Sequence, residues 1–325
     1  MDLTRAFHQQ VITLNNGVVG SVHEVASANV LNYEDIVAAK PAPAVMLHAQ
    51  LFMPARAQKP CPAVIILPGS GGVSPAMLVH AEKLTDAGMA AFVVDPFTGR
   101  GVANTIAVQQ QFSFAASTWD VFAAMKVLNR LPDINPKRIG AMGYSRGGTA
   151  VIQAAMATLA TPALSDLLGD LPHLSAVVAG WPWCGFQFNK PNIGQTAVRM
   201  IAADHDNWAS VVQCQAYFNA IHALSPAASL RIVKDAHHGF GYGMPENQWP
   251  EAMKAMHAPV VFFNDKGVAL NVWTGEPQPG LDDHAIIAQL ASFITRGVTV
   301  GSKDGQMADF MQDFTQFFTA ELMSQ

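Results

Sequence analysis

The chain has 325 residues, half of them apolar and 13% charged, so a sizeable buried core is expected. A formal net charge of −5 gives no basic footprint for nucleic acid and no Lys/Arg run for an anionic membrane surface. Three cysteines cannot all pair within one chain, so the simplest expectation is reduced thiols in a cytoplasmic protein.

The first residues, MDLTRAFHQQ, carry no basic stretch followed by an apolar core, so no signal peptide is expected. VGSVHEV (19–25) and VMLHAQLFM (45–53) alternate like antiparallel edge strands. A stricter rhythm follows. AVIILPGSGG (63–72) is an apolar run ending in glycines, AMLVHAEKLTDAG (76–88) has helical spacing and a Gly stop, and MAAFVVDPF (89–97) is apolar again. STWDVFAAMKVLNRL (117–131) reads as an amphipathic helix, RIGAMGYS (138–145) as a strand, and RGGTAVIQAAMATLA (146–160) as a small-residue helix. Strands are expected at 174–181, 197–206 and 229–238, with a helix near 209–224. The apolar stretch 149–164 is interrupted by Pro162 and nearby polar residues, so no membrane span is expected.

After 241 the rhythm breaks. APVVFFNDKGVALNVW (258–273) reads as a hairpin turning at Asn264-Asp265-Lys266-Gly267. A helix is expected near 283–296, and DGQMADFMQDFTQFFTAEL (304–322) has helical spacing. Its aromatic residues are expected to pack on the core; a homodimer contact is the other reading. No composition shift marks a linker, so one domain (1–325) is expected, with an N-terminal extension (about 1–44) and an inserted block (about 241–282). Short strands alternating with helices predict a mostly parallel α/β sheet covered on both faces.

In such sheets, sites form beyond the carboxyl ends of the strands. The strand at 138–143 runs into Gly143-Tyr144-Ser145-Arg146-Gly147. Chance places a G-x-S-x-G pattern in about one chain in ten of this length, and a Ser N-cap would explain it equally well. The later strands decide between these readings. A serine hydroxyl needs a base, and the base needs an orienting acid. The strand at 197–203 leads into Asp204 and Asp206, and that at 229–234 into His237 and His238, in the order Ser, Asp, His that this architecture requires. An oxyanion hole needs backbone N–H groups; Arg146, after the serine, and Ser70, in Pro68-Gly69-Ser70-Gly71-Gly72, are the candidates. Gly148 and Ala150 allow close helix–sheet packing.

With these residues in place, the chain resembles the dienelactone hydrolase family of α/β-hydrolases over roughly 45 to 240 and the last helix of the sheet. The likeness rests on LPGSGG, VVDPFTGRG, LPDINPKRIGAMGYSRGG, WPWC, ADHDNW and KDAHHGF. It implies an α/β-hydrolase fold with antiparallel N-terminal edge strands. It also implies a catalytic set of Ser145, Asp206 rather than Asp204, and His238 rather than His237. The name-giving members use cysteine where Ser145 stands. Ala203 replaces the usual glycine before the acid, and Pro68 replaces a frequent histidine. Some relatives carry a cysteine pair at positions resembling Cys184 and Cys214; a disulfide there, which would argue against a cytoplasmic location, and two buried thiols are both open readings.

The expected activity is hydrolysis of small-molecule carboxylic esters or lactones without cofactor or metal, with amide hydrolysis on the same triad as the runner-up. Asp204, His205, Asp206, His237 and His238 could instead form a metal site, and a non-catalytic binding role on the same fold is a further alternative. Arg100 is a candidate for holding a substrate carboxylate, with a structural ion pair as its rival. Tyr144, Trp181 and Trp183 are candidates for the substrate pocket wall, with core packing as theirs.

Overall fold

The computed structural model describes residues 1, 5–169 and 173–323. Two edge strands, β1 (Gly20–Ala28) and β2 (Ala44–Phe52), enclose the short helix α1 (Tyr33–Val37). The alternating units follow: β3 (Cys61–Leu67), α2 (Pro75–Asp86), β4 (Ala90–Asp95), α3 (Phe114–Leu128), β5 (Ile134–Tyr144), α4 (Arg146–Ala154), α5 (Pro162–Leu168) and β6 (Ala176–Gly180). Next come β7 (Phe186–Phe188), β8 (Ala197–Ala203), α6 (Val211–Leu224) and β9 (Ala228–Val233). The last part holds β10 (Asn247–Lys254), β11 (Val261–Phe263), β12 (Ala269–Leu270), β13 (Pro277–Gln278), α7 (Asp283–Gln289), β14 (Thr295–Val300) and α8 (Gln306–Met323).

Eight strands form the main sheet in the order β1-β2-β4-β3-β5-β6-β8-β9. β1 and β2 are antiparallel to each other and β2 to β4; the remaining pairs are parallel. Period-2 geometry explains why β3 is buried along its whole length. Ala63, Ile65 and Leu67 point to one face, where they join Trp119 and Phe122 of α3, Val151 of α4 and Tyr217 of α6. Val64 and Ile66 point to the other, where they join Met77 and Leu84 of α2 and Phe310, Phe314 and Phe318 of α8. The aromatic face of α8 is therefore buried in this chain's own core.

Caps set where the helices begin. Ser113 Oγ accepts the Ala116 N–H at 2.8 Å ahead of α3, and Pro75 occupies the first turn of α2.

The main differences from expectation lie after 241. The helix expected at 283–296 ends at Gln289, and Thr295–Val300 is a strand. Its side chains point alternately to opposite faces, so Val298 and Val300 bury themselves against Trp208 and Ala252 while Thr299 faces away. Its antiparallel partner β10 had no clear sequence signal, because Pro250 interrupts it and most of its residues are at least partly exposed. The expected hairpin is β11–β12, closed by Gly267 N–H to Asn264 O at 2.9 Å. β11 also pairs in parallel with β7, making a second sheet of order β13-β12-β11-β7. The helix expected to reach residue 160 stops at Ala154. Among the described residues, no helix is long and apolar enough to cross a membrane.

Candidate active site

β5 ends at Tyr144, and Ser145 makes the turn into α4 with φ 52° and ψ −114°. A non-glycine residue at such a φ stores roughly 1–3 kcal/mol of strain, held in place by its surroundings. Those surroundings require glycine on both sides. A Cβ at Gly143 would lie 2.1 Å from the Gly147 carbonyl oxygen, and one at Gly147 would lie 2.4 Å from that of Pro68. Ser145 N–H donates to Gly180 O on β6 at 2.9 Å, which fixes the turn to the neighbouring strand.

β8 and β9 are adjacent, so the loops at their carboxyl ends meet. His238 Nδ1 lies 2.8 Å from Asp206 Oδ2, with both side chains buried. The other carboxylate oxygen, Oδ1, accepts the backbone N–H groups of Trp208 and Ala209, each at 2.8 Å. Three donors therefore fix the orientation of the carboxylate. With Nδ1–H donating to Asp206, Nε2 is the ring's free acceptor. Trp208 packs against the imidazole, ring centroids 4.7 Å apart, and its Nε1–H donates to Met253 O on β10 at 2.8 Å.

The competing residues have other partners. Asp204 Oδ1 accepts the Ala236 N–H at 3.2 Å, and His237 Nδ1 pairs with the carbonyl of His205. Among the described residues no three His, Cys, Asp or Glu side chains are grouped to hold a metal ion, so the Asp/His cluster is not arranged as a ligand set.

Ser70 follows β3 and is buried, with Oγ donating to Gln109 Oε1 at 3.1 Å. The Tyr242 hydroxyl packs beside Gly69, next to Ser70 in the glycine loop. Neither Ser70 N–H nor Arg146 N–H has a hydrogen-bond acceptor among the described residues. The Arg146 side chain is spent elsewhere. Its guanidinium donates to the Gln109, Phe112 and Ser113 carbonyls and to Ser117 Oγ, and stacks 4.2 Å from the Phe114 ring centroid. Burial pulls its pKa down to about 10. It thereby pins the segment that carries Gln109 and Phe114.

Three expected wall or binding residues are corrected. Arg100 does not face the site: its guanidinium forms a buried bidentate pair with Asp120, at 2.8 and 2.9 Å. Tyr144 points into the core, its hydroxyl 2.6 Å from His80 Nδ1, while His80 Nε2 lies 2.9 Å from Gly241 O. Burial lowers the His80 pKa to about 4, so this link is a neutral one. Trp181 is fully buried between Tyr144, Phe240 and Phe310. Arg100 is drawn to Asp120 on α3, while Tyr144 and Trp181 lie on the face covered by α2 and α8. Trp183 does reach the site. Cys184 and Cys214 are buried and stand as two free thiols in this structure. The neighbouring Cys184 sulfur and burial push the Cys214 thiol well above its ordinary range.

Two cavities meet at the serine. A chamber of ≈ 50 Å³ is walled by Phe114, Trp183, Ile287 and Leu290, among others. A cleft of ≈ 350 Å³ is walled by the glycine loop, Tyr242, Met244, Trp249 and Val300. Ser70, Ser145, Trp208 and His238 line both. No hydrogen bond joins Ser145 Oγ to the imidazole among the described residues; contacts of this kind often tighten only around a bound substrate. Sequence reasoning did not single out Phe114, Gln109, Trp208, Tyr242, Ile287 or Leu290 for the site. Of these only Trp208, beside Asp206, carried a signal.

A mostly parallel eight-stranded sheet, with a serine on a strained strand-to-helix turn at its carboxyl edge, defines an α/β-hydrolase. A model of the dienelactone hydrolase family matches residues 47–265, and the chain belongs to that family. Among solved structures, a dienelactone hydrolase-like promiscuous phosphotriesterase from metagenomic libraries is similar at 13% identity. It covers 93% of this chain and 98% of its own, with a TM-score of 0.55. Esterase 2 of Thermogutta terrifontis, phosphorylated by paraoxon, is similar at 17% identity, covering 68% of this chain and 85% of its own, with a TM-score of 0.51. None of the curated proteins matches.

Proposed function

We propose that the protein hydrolyses carboxylic esters or lactones through an acyl-enzyme on Ser145. The observation that carries this reading is the buried His238–Asp206 pair, 2.8 Å apart, sharing cavity walls with a serine on a strained turn. Ser145 Oγ bonds to the carbonyl carbon as its proton passes to His238 Nε2. The carbon–oxygen bond to the alcohol breaks as Nε2 returns that proton to the departing oxygen. Water, deprotonated by the same nitrogen, then releases the acid and frees the serine. Asp206 keeps Nδ1 protonated and stabilises the imidazolium. Ser70 and Arg146 N–H groups, which have no acceptor among the described residues, hold the oxyanion; Arg146 opens α4, so the helix dipole acts in the same direction. General acid–base transfer of this kind contributes typically ~10²–10⁴-fold, and one oxyanion donor ~10²–10³-fold.

The test is mass spectrometry after treatment with a p-nitrophenyl phosphonate, run beside a panel of esters and matched anilides. A single adduct on Ser145, and loss of ester turnover in Ser145→Ala, are expected. Full turnover by Ser145→Ala would remove the proposal, and faster cleavage of the anilides would move it to amides.

A further inference from the structure

The two cavities on either side of Ser145 differ about sevenfold in volume, ≈ 50 against ≈ 350 Å³. We infer that the small chamber receives the acyl group and the large cleft the alcohol, so that the substrates are short-chain acyl esters of bulky, largely apolar alcohols. This inference rests on the hydrolytic reading above.

The assignment follows from the stereochemistry of the attacked carbon. Its four substituents are Ser145 Oγ, the oxyanion, the acyl chain and the departing oxygen. The departing oxygen must take its proton from His238 Nε2, so the alcohol lies on the side of the histidine loop and the acyl chain lies opposite. The cleft takes in that loop as well as the glycine loop: Tyr242 and Met244 follow His238 closely, and Val300 pairs with it directly. Residues 239–244 do not line the chamber; Arg146, Phe114 and Trp183 line it together with Trp208, Met253 and Leu290.

Size then sets the limit. A cavity of roughly 150 Å³ takes a benzene ring, so one of ≈ 50 Å³ suits only a few heavy atoms. That admits acetyl to butanoyl chains. The chamber is also braced. Phe114 packs on Trp183 at 4.8 Å and on Phe186 at 5.4 Å between ring centroids, and its N–H is held by the Asp283 carboxylate. Arg146 fixes the same segment through four hydrogen bonds. Longer chains therefore meet Ile287 and Leu290, which line the chamber.

The experiment measures kcat/KM of the full-length protein on 2-naphthylmethyl acetate, butanoate and octanoate, and on methyl butanoate. These alcohols leave with similar ease, so size is the variable. The octanoate is expected at least tenfold below the butanoate, and methyl butanoate at least tenfold below its naphthylmethyl counterpart. Leu290→Ala or Ile287→Ala should recover the octanoate by at least tenfold. Trp249→Ala, across the partition, should weaken the naphthylmethyl preference and leave the acyl profile in place. An octanoate turned over as fast as the butanoate, or a methyl ester preferred to the naphthylmethyl one, overturns the assignment. The wild-type series decides this without any variant. Either result, with Ser145 still labelled by phosphonate, overturns the chamber assignment alone; ester turnover that persists in Ser145→Ala overturns the hydrolytic reading itself.

Discussion

The carbonyl oxygen of His238 accepts the backbone N–H of Gly301 at 2.9 Å. The proposed base is therefore held from behind by the residue that follows β14. Gly301 has φ +137°, and a Cβ there would lie 2.6 Å from the Pro245 carbonyl oxygen and from Glu246 Cα. Both contacts are with backbone, which cannot swing aside. Gly301→Ala should therefore displace the histidine loop and lower kcat on the order of 10–10²-fold, with a smaller change in KM. Steady-state kinetics on a short-chain ester checks this, and unchanged kcat would show that the contact does not position the imidazole.

Asp206→Asn isolates the carboxylate's part. The amide oxygen can still accept the Trp208 and Ala209 N–H groups. The amide nitrogen then faces His238 Nδ1, so the ring must carry its proton on Nε2, where it cannot take one from Ser145. A fall in kcat of about 10⁴-fold, with a native circular dichroism spectrum, is the expected outcome. A loss under tenfold would mean that Asp206 does not set the tautomer.

The alternation of strand and helix from β3 to β9 was legible in the sequence because buried parallel strands are short apolar runs and the segments between them carry helical spacing. The convergence of Ser145, Asp206 and His238 loops was legible for a related reason: chain order fixes which strand ends become neighbours. What was hidden depends on contacts distant in sequence. The ribbon β10–β14, which supports His238 and Trp208, reads as polar loop and helix because only one face of it is buried. Arg100 sits after a strand at the right edge, yet its direction is set by Asp120 on α3, which no local pattern reveals. Tyr144 and Trp181 flank the site in sequence but alternate away from it into the α2–α8 layer.

The Arg100–Asp120 pair gives a stability prediction that separates scaffold from chemistry. Both side chains are buried, and Ser27 Oγ also donates to the carboxylate. Burial pushes the Asp120 carboxyl up, and Arg100 opposes that shift. Asp120→Ala leaves a buried guanidinium without its anion, at a cost of roughly 3–5 kcal/mol. Urea unfolding should show this loss, while kcat/KM of the folded fraction at low temperature stays within about threefold. A KM rise confined to acidic esters, with stability intact, would return Arg100 to the role of a substrate ligand.

Asp283 makes stability depend on pH next to the acyl chamber. Its carboxylate accepts the Phe114 N–H, and burial pushes its pKa from 3.8 up to about 6. The Phe114 N–H, Arg146 and His284 pull the value down, while Asp282 adds to the rise. Between those two values the folded chain holds a proton that the unfolded chain has released. Stability from this group is therefore full below about pH 4 and is lost as pH rises through about 6. The shift corresponds to roughly 2–3 kcal/mol. Asp283→Asn keeps an acceptor oxygen for Phe114 and has no proton to lose. Its unfolding free energy, measured in urea at several pH values and expressed relative to the unsubstituted chain, should rise by about that amount between pH 4 and 7.5. Parallel curves for the two proteins would mean that Asp283 ionises in the folded state as readily as in water, and that Arg146 fully compensates its burial.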